Sequence, residues 1–172
     1  FNRGTEESMR ITGTGVVGIG TTSPAYTLHV NGSVAGTSAY VNLSDARLKT
    51  NVTSLTGALE KVMQLRGVTF QWNTQADSTM KLDNKQHIGF LAQEVEKILP
   101  QVVSTADDAM KTKSVAYSDV VPVLVEAIKE LKAENDRLKS QVSELDALKA
   151  EVSAIKALLT TPASTSTQKA DK

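Results

Sequence analysis

The stretch of this sequence whose residue types could do covalent chemistry is Ser44-Asp45-Ala46-Arg47-Leu48-Lys49. A serine hydroxyl becomes a nucleophile when a base takes its proton, and an uncharged lysine amine can be that base. Lysine is ordinarily protonated at neutral pH, with a pKa of about 10.4, so it serves only when desolvated. Apolar neighbours such as Leu43 and Leu48, or another subunit, would supply that burial. The i, i+5 spacing does not pair the two groups on an α-helix. At roughly 100° per residue they lie about 140° apart. A dyad therefore requires Ser44 in an extended or turn segment, with Lys49 folded back or meeting a Ser44 of a neighbouring chain. The same residues also fit a structural role, with Ser44 or Asp45 as the N-cap of a helix starting near Ala46.

Little else in the sequence offers chemistry. Cysteine is absent, which excludes a disulfide scaffold, a thiolate zinc site and a cysteine nucleophile. His29 and His87 have no metal-like spacing with carboxylates, so neither metal nor cofactor is expected. Gly18-x-Gly20 lacks the helix and lysine of a phosphate loop. Asp107-Asp108 reads as a solvated loop and Gln93-Glu94 as helix packing. Lys+Arg and Asp+Glu are 19 each, so no net field favours nucleic acid or an anionic membrane. No apolar run approaches the ~18 residues of a membrane span. Phe1 in place of Met reads as the start of a C-terminal fragment of a longer protein.

Composition changes sharply beside the candidate chemistry. Seven of the ten glycines fall in residues 1–43, and 11–43 carries no Asp, Glu, Lys or Arg. Val17-x-Ile19 and Tyr26-x-Leu28-x-Val30 alternate as strands do, and Asn31-Gly32 is a type I′ turn signal. Such an uncharged segment suits strands that pair or wrap with copies of themselves, as in a fibre shaft.

Residues 44–118 read as a small α+β unit. Leu55, Leu59, Val62 and Leu65 predict a helix capped by Thr53 or Ser54 and ended by Gly67. Val68, Phe70 and Trp72 predict a half-buried strand, and 73–86 a polar loop. His87–Phe90 reads as a strand, Leu91–Leu99 as a helix closed by Pro100, and Val102-Val103 and 114–117 as further strands.

Residues 119–159 predict one long helix, capped by Ser118 or Asp119, with Pro122 in its first turn. Leu124, Ile128, Leu131, Asn135, Leu138, Val142 and Leu145 alternate by four and three, which is a coiled-coil seam. The seam slips by three before Leu148, Val152, Ile155 and Leu159, as in a stammer. Ile128 and Val142 at a, with Leu at d, favour two strands, and Asn135 at a fixes register. Residues 160–172 read as a disordered tail. Aromatics are only 4%, so the core is small and oligomerisation is expected to support it.

Three ordered motifs resemble the intramolecular chaperone auto-processing domain that ends phage tail spikes and fibres, endosialidase spikes included. They are Ser44 to Val52, Leu59 to Asn73 and His87 to Val103, followed by Tyr117-Ser118-Asp119 leading into the long helix. Upstream, Val17 to Pro24 and Leu28 to Gly32 resemble shaft sequence that precedes this domain in phage fibres and bacterial surface proteins. The resemblance implies a homotrimer, in preference to the two strands that the seam suggests. It implies a domain that helps the upstream β-structure fold and then cuts itself off before the serine of the motif. Carried over residue by residue, the scissile bond is Leu43–Ser44, Ser44 is the nucleophile and Lys49 the general base. Asp45 and Arg47 match the motif and are expected to hold the turn or the trimer contact. The implied address is a virion tail fibre or a bacterial surface protein precursor. The expected partners are copies of the chain itself and its own upstream segment, with no nucleic acid and no membrane. The alternative is a structural trimerisation tail that does not cleave.

Overall fold

Short strands form where the glycine-rich stretch alternates. The structure is a computed structural model and describes residues 2–3, 6–38 and 41–160. Two-residue strands β1 (Asn2–Arg3) and β2 (Glu6–Glu7) pair antiparallel. β3 (Met9–Ile11) pairs antiparallel with β4 (Val17–Ile19), setting Met9 opposite Ile19 and Ile11 opposite Val17. β5 (Leu28–Val30) takes the other edge of β4, in parallel. Parallel partners usually need a connection of about a dozen residues or more. Residues 20–27 suffice here because each strand is three residues long. Glycine makes the tight arc possible. A Cβ at Gly18 would stand 2.8 Å from the Thr21 carbonyl oxygen, and Gly20 sits at φ +67°. Arg10, paired with Glu7, donates to the Thr22 carbonyl at 2.7 Å and ties the arc down.

The Asn31-Gly32 signal makes no type I′ turn. That turn needs positive φ at both residues, and Asn31 is not among the non-glycine residues with positive φ. No described strand returns along β5; Asn31 is used instead for long-range hydrogen bonds, given below.

Residues 41–57 are exposed throughout, and their one regular feature is a 3₁₀ turn at Ala46–Leu48. α1 (Ala58–Gln64) is shorter than the periodicity predicts. Neither Thr53 nor Ser54 caps it. Gly57, at φ +63°, precedes the helix, and a residue in the left-handed region cannot continue a right-handed helix backwards. Leu55 is therefore outside the helix and exposed. The helix ends at Gln64, three residues before Gly67.

β6 (Val68–Gln71) pairs antiparallel with β7 (Gln86–Gly89), with Val68 opposite Gly89. Trp72 lies just past the strand. α2 (Ala92–Ile98) follows, and Pro100 starts a 3₁₀ turn at Pro100–Val102. β8 (Val103–Thr105) and β9 (Lys113–Val115) form a second antiparallel hairpin. α3 runs over Tyr117–Thr160. It begins before the expected caps because the Ala116 carbonyl already accepts the Asp119 N–H. Pro122 is consequently its sixth residue, where the missing N–H leaves the Ser118 carbonyl without its helical donor. The tail expected after Thr160 lies outside the described residues.

The fold is α+β, and it divides into two compact units, 1–127 and 128–172. The core of the first is made of small side chains. Ala58, Val95, Leu99, Val102, Val120, Val123 and Ala127 are buried together, from α1, α2, the 3₁₀ turn and the start of α3. Val95 is the largest fully buried side chain. Burial of a valine contributes about 1.5–3 kcal/mol, so so small a core gives limited stability. In the second unit the apolar row Ile128, Leu131, Leu138, Val142, Leu145, Leu148, Val152 and Ile155 is exposed. No described helix is long and apolar enough to cross a membrane.

Candidate active site

The 3₁₀ turn solves the spacing problem between Ser44 and Lys49. Asp45, at the N-cap with extended φ/ψ, accepts the Arg47 backbone N–H at 2.9 Å. Three residues of 3₁₀ conformation then reverse the chain, and Lys49 resumes an extended conformation. The two ends of the turn meet: Lys49 Nζ donates to Ser44 Oγ at 2.7 Å. One chain suffices for this contact. Asp45 does cap a helical element, as the structural reading of the sequence expects, and the cap is what brings Ser44 and Lys49 together.

Arg47 closes a fork on the same carboxylate. Its Nε donates to Asp45 Oδ1 and Oδ2 at 3.1 and 3.2 Å, and its Nη2 to Oδ2 at 2.6 Å. The guanidinium, and then the Arg47 N–H, hold the Asp45 carboxyl below its usual range, while Asp45 raises Arg47. Both side chains are spent on the turn, and neither touches Ser44 Oγ through any bond described. The surroundings are wet: Leu43 is 89% exposed and Leu48 71%. A cleft lined by Phe70, Trp72, His87, Phe90 and Tyr117 lies elsewhere, and no residue of 43–49 lines it.

Two further constellations hold the domain behind the turn. Tyr117, the first residue of α3, presents its hydroxyl to the Phe90 N–H at 2.9 Å and stacks on the Phe90 ring. Gly89 makes room for it, since a Cβ there would stand 2.5 Å from that hydroxyl. Arg66 donates two hydrogen bonds to Glu94, joining the chain after α1 to α2 and holding the Glu94 carboxyl below its usual range. Glu94 therefore has an ion-pair partner that helix packing alone does not anticipate. His87 pairs with Asp83 at 2.7 Å, His29 Nδ1 accepts the Ala25 N–H at 3.2 Å, and Asp107 and Asp108 hold the loop before β9 through Lys111 and the Thr112 N–H.

Sequence reasoning missed Asn31 and Tyr26. The Tyr26 hydroxyl meets Ser114 Oγ at 3.1 Å, 88 residues away. Asn31 contacts the loop between β6 and β7, 48 to 50 residues away. Single side chains reaching that far leave no periodic signal in a sequence.

Comparison with known proteins starts at the serine itself: residues 44–104 match the family model described as chaperone of endosialidase. Over 99 residues the chain is 35% identical to the long tail fiber protein Gp37 of Enterobacteria phages M1 and Ox2, covering 56% of this chain and 39% of theirs. Over 101 residues it is 32% identical to the long tail fiber protein Gp37 of Enterobacteria phage K3, covering 58% of this chain and 8% of that one. The chain thus spans well under half the length of these relatives. Residues 44–104 of this chain are thus similar to the chaperone-of-endosialidase family.

Proposed function

We propose that residues 44–159 form a trimerising chaperone that helps the shaft segment 1–43 fold and then releases itself by cutting Leu43–Ser44. The long tail fibre relatives support a virion tail fibre as the setting. The observation that carries the reading is the 2.7 Å contact between Ser44 Oγ and Lys49 Nζ, in a family segment that begins at that serine.

The chemistry follows from where the serine stands. Ser44 lies on the amine side of the bond, so its Oγ reaches the Leu43 carbonyl carbon through a five-membered ring. Lys49, as a free amine, takes the hydroxyl proton while Oγ attacks. The ring collapses with loss of the Leu43–Ser44 C–N bond, and the departing nitrogen receives the proton from Lys49. An ester between Leu43 and Ser44 Oγ remains. Water hydrolyses it, giving a carboxylate at Leu43 and a free hydroxyl on Ser44. The reaction occurs once per chain.

An ammonium that donates to Ser44 cannot serve as the base; the lysine must first lose its proton. Desolvation favours that loss, and every residue from 41 to 57 is exposed in the single chain. Copies packed around the turn supply the missing burial. The exposed row on α3 supports assembly with other copies through Leu124, Ile128, Leu131, Asn135, Leu138, Val142 and Leu145, and the family resemblance favours three chains. Cleavage is thereby gated by assembly.

Intact-mass spectrometry tests the cut. Wild-type chain yields pieces of 43 and 129 residues (172 − 43), and Ser44→Ala stays whole. Only full-length wild-type chain after prolonged incubation of the trimer refutes the cut and leaves a non-cleaving trimerisation tail.

A further inference from the structure

Among the described residues of the shaft, Asn31 grips the loop between β6 and β7 with both ends of its carboxamide. Its own backbone N–H donates to the Ile19 carbonyl at 2.9 Å, continuing the β4–β5 pairing by one residue. Its Nδ2 donates to the Gly20 carbonyl at 3.0 Å and to the Thr79 carbonyl at 2.6 Å. Its Oδ1 accepts the Lys81 N–H at 2.9 Å. The carbonyl of Thr79 and the N–H of Lys81 flank Met80 on one edge of the backbone. A strand offers that pair of groups to a neighbouring strand, and here a single carboxamide takes a peptide unit's place. The shaft side of the contact depends on the pairing of β4 and β5, because Asn31 is held to Ile19 by its backbone N–H and to Gly20 by its side-chain Nδ2. Gly20 is part of the fit: its positive φ and missing Cβ let the Asn31 carbonyl come close, 3.2 Å from where a Cβ would lie.

We propose that Asn31 is a fold-reporting latch, by which the 73–85 loop clasps a correctly paired shaft end and stays bound to it after the connecting backbone is severed. The clasped partner is the β3–β4–β5 sheet of the same chain. Backbone groups make the loop's side of the contact, so it recognises the conformation at residue 31 together with a carboxamide. The Tyr26–Ser114 hydrogen bond gives the interface a second point. Between Asn31 and Ser44 the chain is exposed at every described residue from 32 onward, so cutting it disturbs neither contact. Cleavage then ends the covalent link, and release of residues 44–159 is completed only when this contact opens.

The proposal rests on the reading that residues 44–159 serve the shaft, but its test does not need the self-cut. In full-length Ser44→Ala chain, a site for an external protease replaces residues 34–37. After digestion, gel filtration follows retention of the N-terminal piece. It is expected to co-elute with the remainder. In the Asn31→Asp variant two carbonyls face an acceptor in place of a donor, and dissociation should be at least tenfold faster, as for one or two lost net hydrogen bonds. Amide exchange at Gly18 and Ile19 shows that the sheet still forms. Should Asn31→Asp unfold it, Lys81→Pro removes the donor from the loop side and must produce the same release. Prompt dissociation of the parent piece, or equal retention with a folded sheet in either variant, overturns the latch. Failure of wild-type chain to cut itself refutes the cleavage reading alone.

Discussion

Gly89→Ala removes no bond and introduces no polar atom, yet the structure makes it a severe change. The new Cβ would lie 2.5 Å from the Tyr117 hydroxyl and 3.3 Å from Phe70 Cε1. A comfortable separation is about 3.5 Å, so the hydroxyl must retreat by about 1 Å. That breaks its 2.9 Å bond to the Phe90 N–H, a loss of about 0.5–1.5 kcal/mol. Loosening the Phe90–Tyr117 stack, with centroids 5.7 Å apart, takes about 0.5–1.5 kcal/mol more. Residual overpacking against Phe70 adds about 1 kcal/mol or more. The stiffer backbone of alanine in the unfolded chain returns about 0.4–1 kcal/mol. The net loss is about 1–4 kcal/mol, a large part of a small domain's stability. Urea unfolding followed by the single tryptophan, Trp72, reads it as a midpoint about 0.5–2 M lower, at one fixed protein concentration. Tyr117→Phe on top of Gly89→Ala takes away the clashing oxygen and should recover at least half the shift. An unchanged midpoint for Gly89→Ala, or a double variant weaker than the single one, refutes this account of how α3 is seated on β7.

Other outcomes follow from the turn and the seam. Lys49→Arg keeps a positive charge but cannot act as a free amine, so cleavage should stop while the oligomer survives; a wild-type rate by electrophoresis removes Lys49 from the mechanism. Leu131→Asp with Leu138→Asp buries charge at two d positions of the proposed seam, at several kcal/mol per chain. Sedimentation should find monomers and electrophoresis no cut, and a monomer that cleaves fully ends the assembly-gated mechanism. Asp45 is held below its usual range by Arg47, so its contribution to the turn is complete above the unfolded value of about 3.9 and is lost as pH falls through the lower folded value. Exchange of the Arg47 amide should quicken over that acid window, and Asp45→Asn should abolish the pH dependence; a flat wild-type profile down to about pH 2 contradicts it.

Regular periodicity made most elements readable. Val68 and Phe70 alternate because β6 has one covered face, and Val95 and Leu99 recur at four because α2 lays one stripe on the core. What escaped was governed by single residues. Gly57 takes a left-handed φ that its neighbours do not announce, and it shortens α1. The Ala116 carbonyl accepts the Asp119 N–H, so α3 starts at Tyr117, ahead of its polar capping candidates. At the candidate site, the residue types and the need for a turn were evident from the i, i+5 spacing. The Asp45 cap was also readable as one of two candidates; that the capped turn is a 3₁₀ turn which folds Lys49 back onto Ser44 was not, because that depends on φ/ψ values no pattern encodes. Asn31 reads locally as a turn residue, while its partners are Thr79 and Lys81.

The order of elements along the chain also bears on biosynthesis. α3 follows every strand, and its 44 residues take about 2–9 s to translate at ordinary rates. Until it is complete, the apolar row proposed to recruit other chains does not exist. In the proposed assembly the partners then arrive by an encounter between molecules, so the waiting time lengthens as chains become scarce. Throughout that interval the β1–β5 strands, each three residues or fewer, have little to hold them paired. Several ribosomes on one message would place nascent chains side by side and shorten the wait. Local density of synthesis, more than the intrinsic folding speed of any strand, then governs how much shaft escapes aggregation.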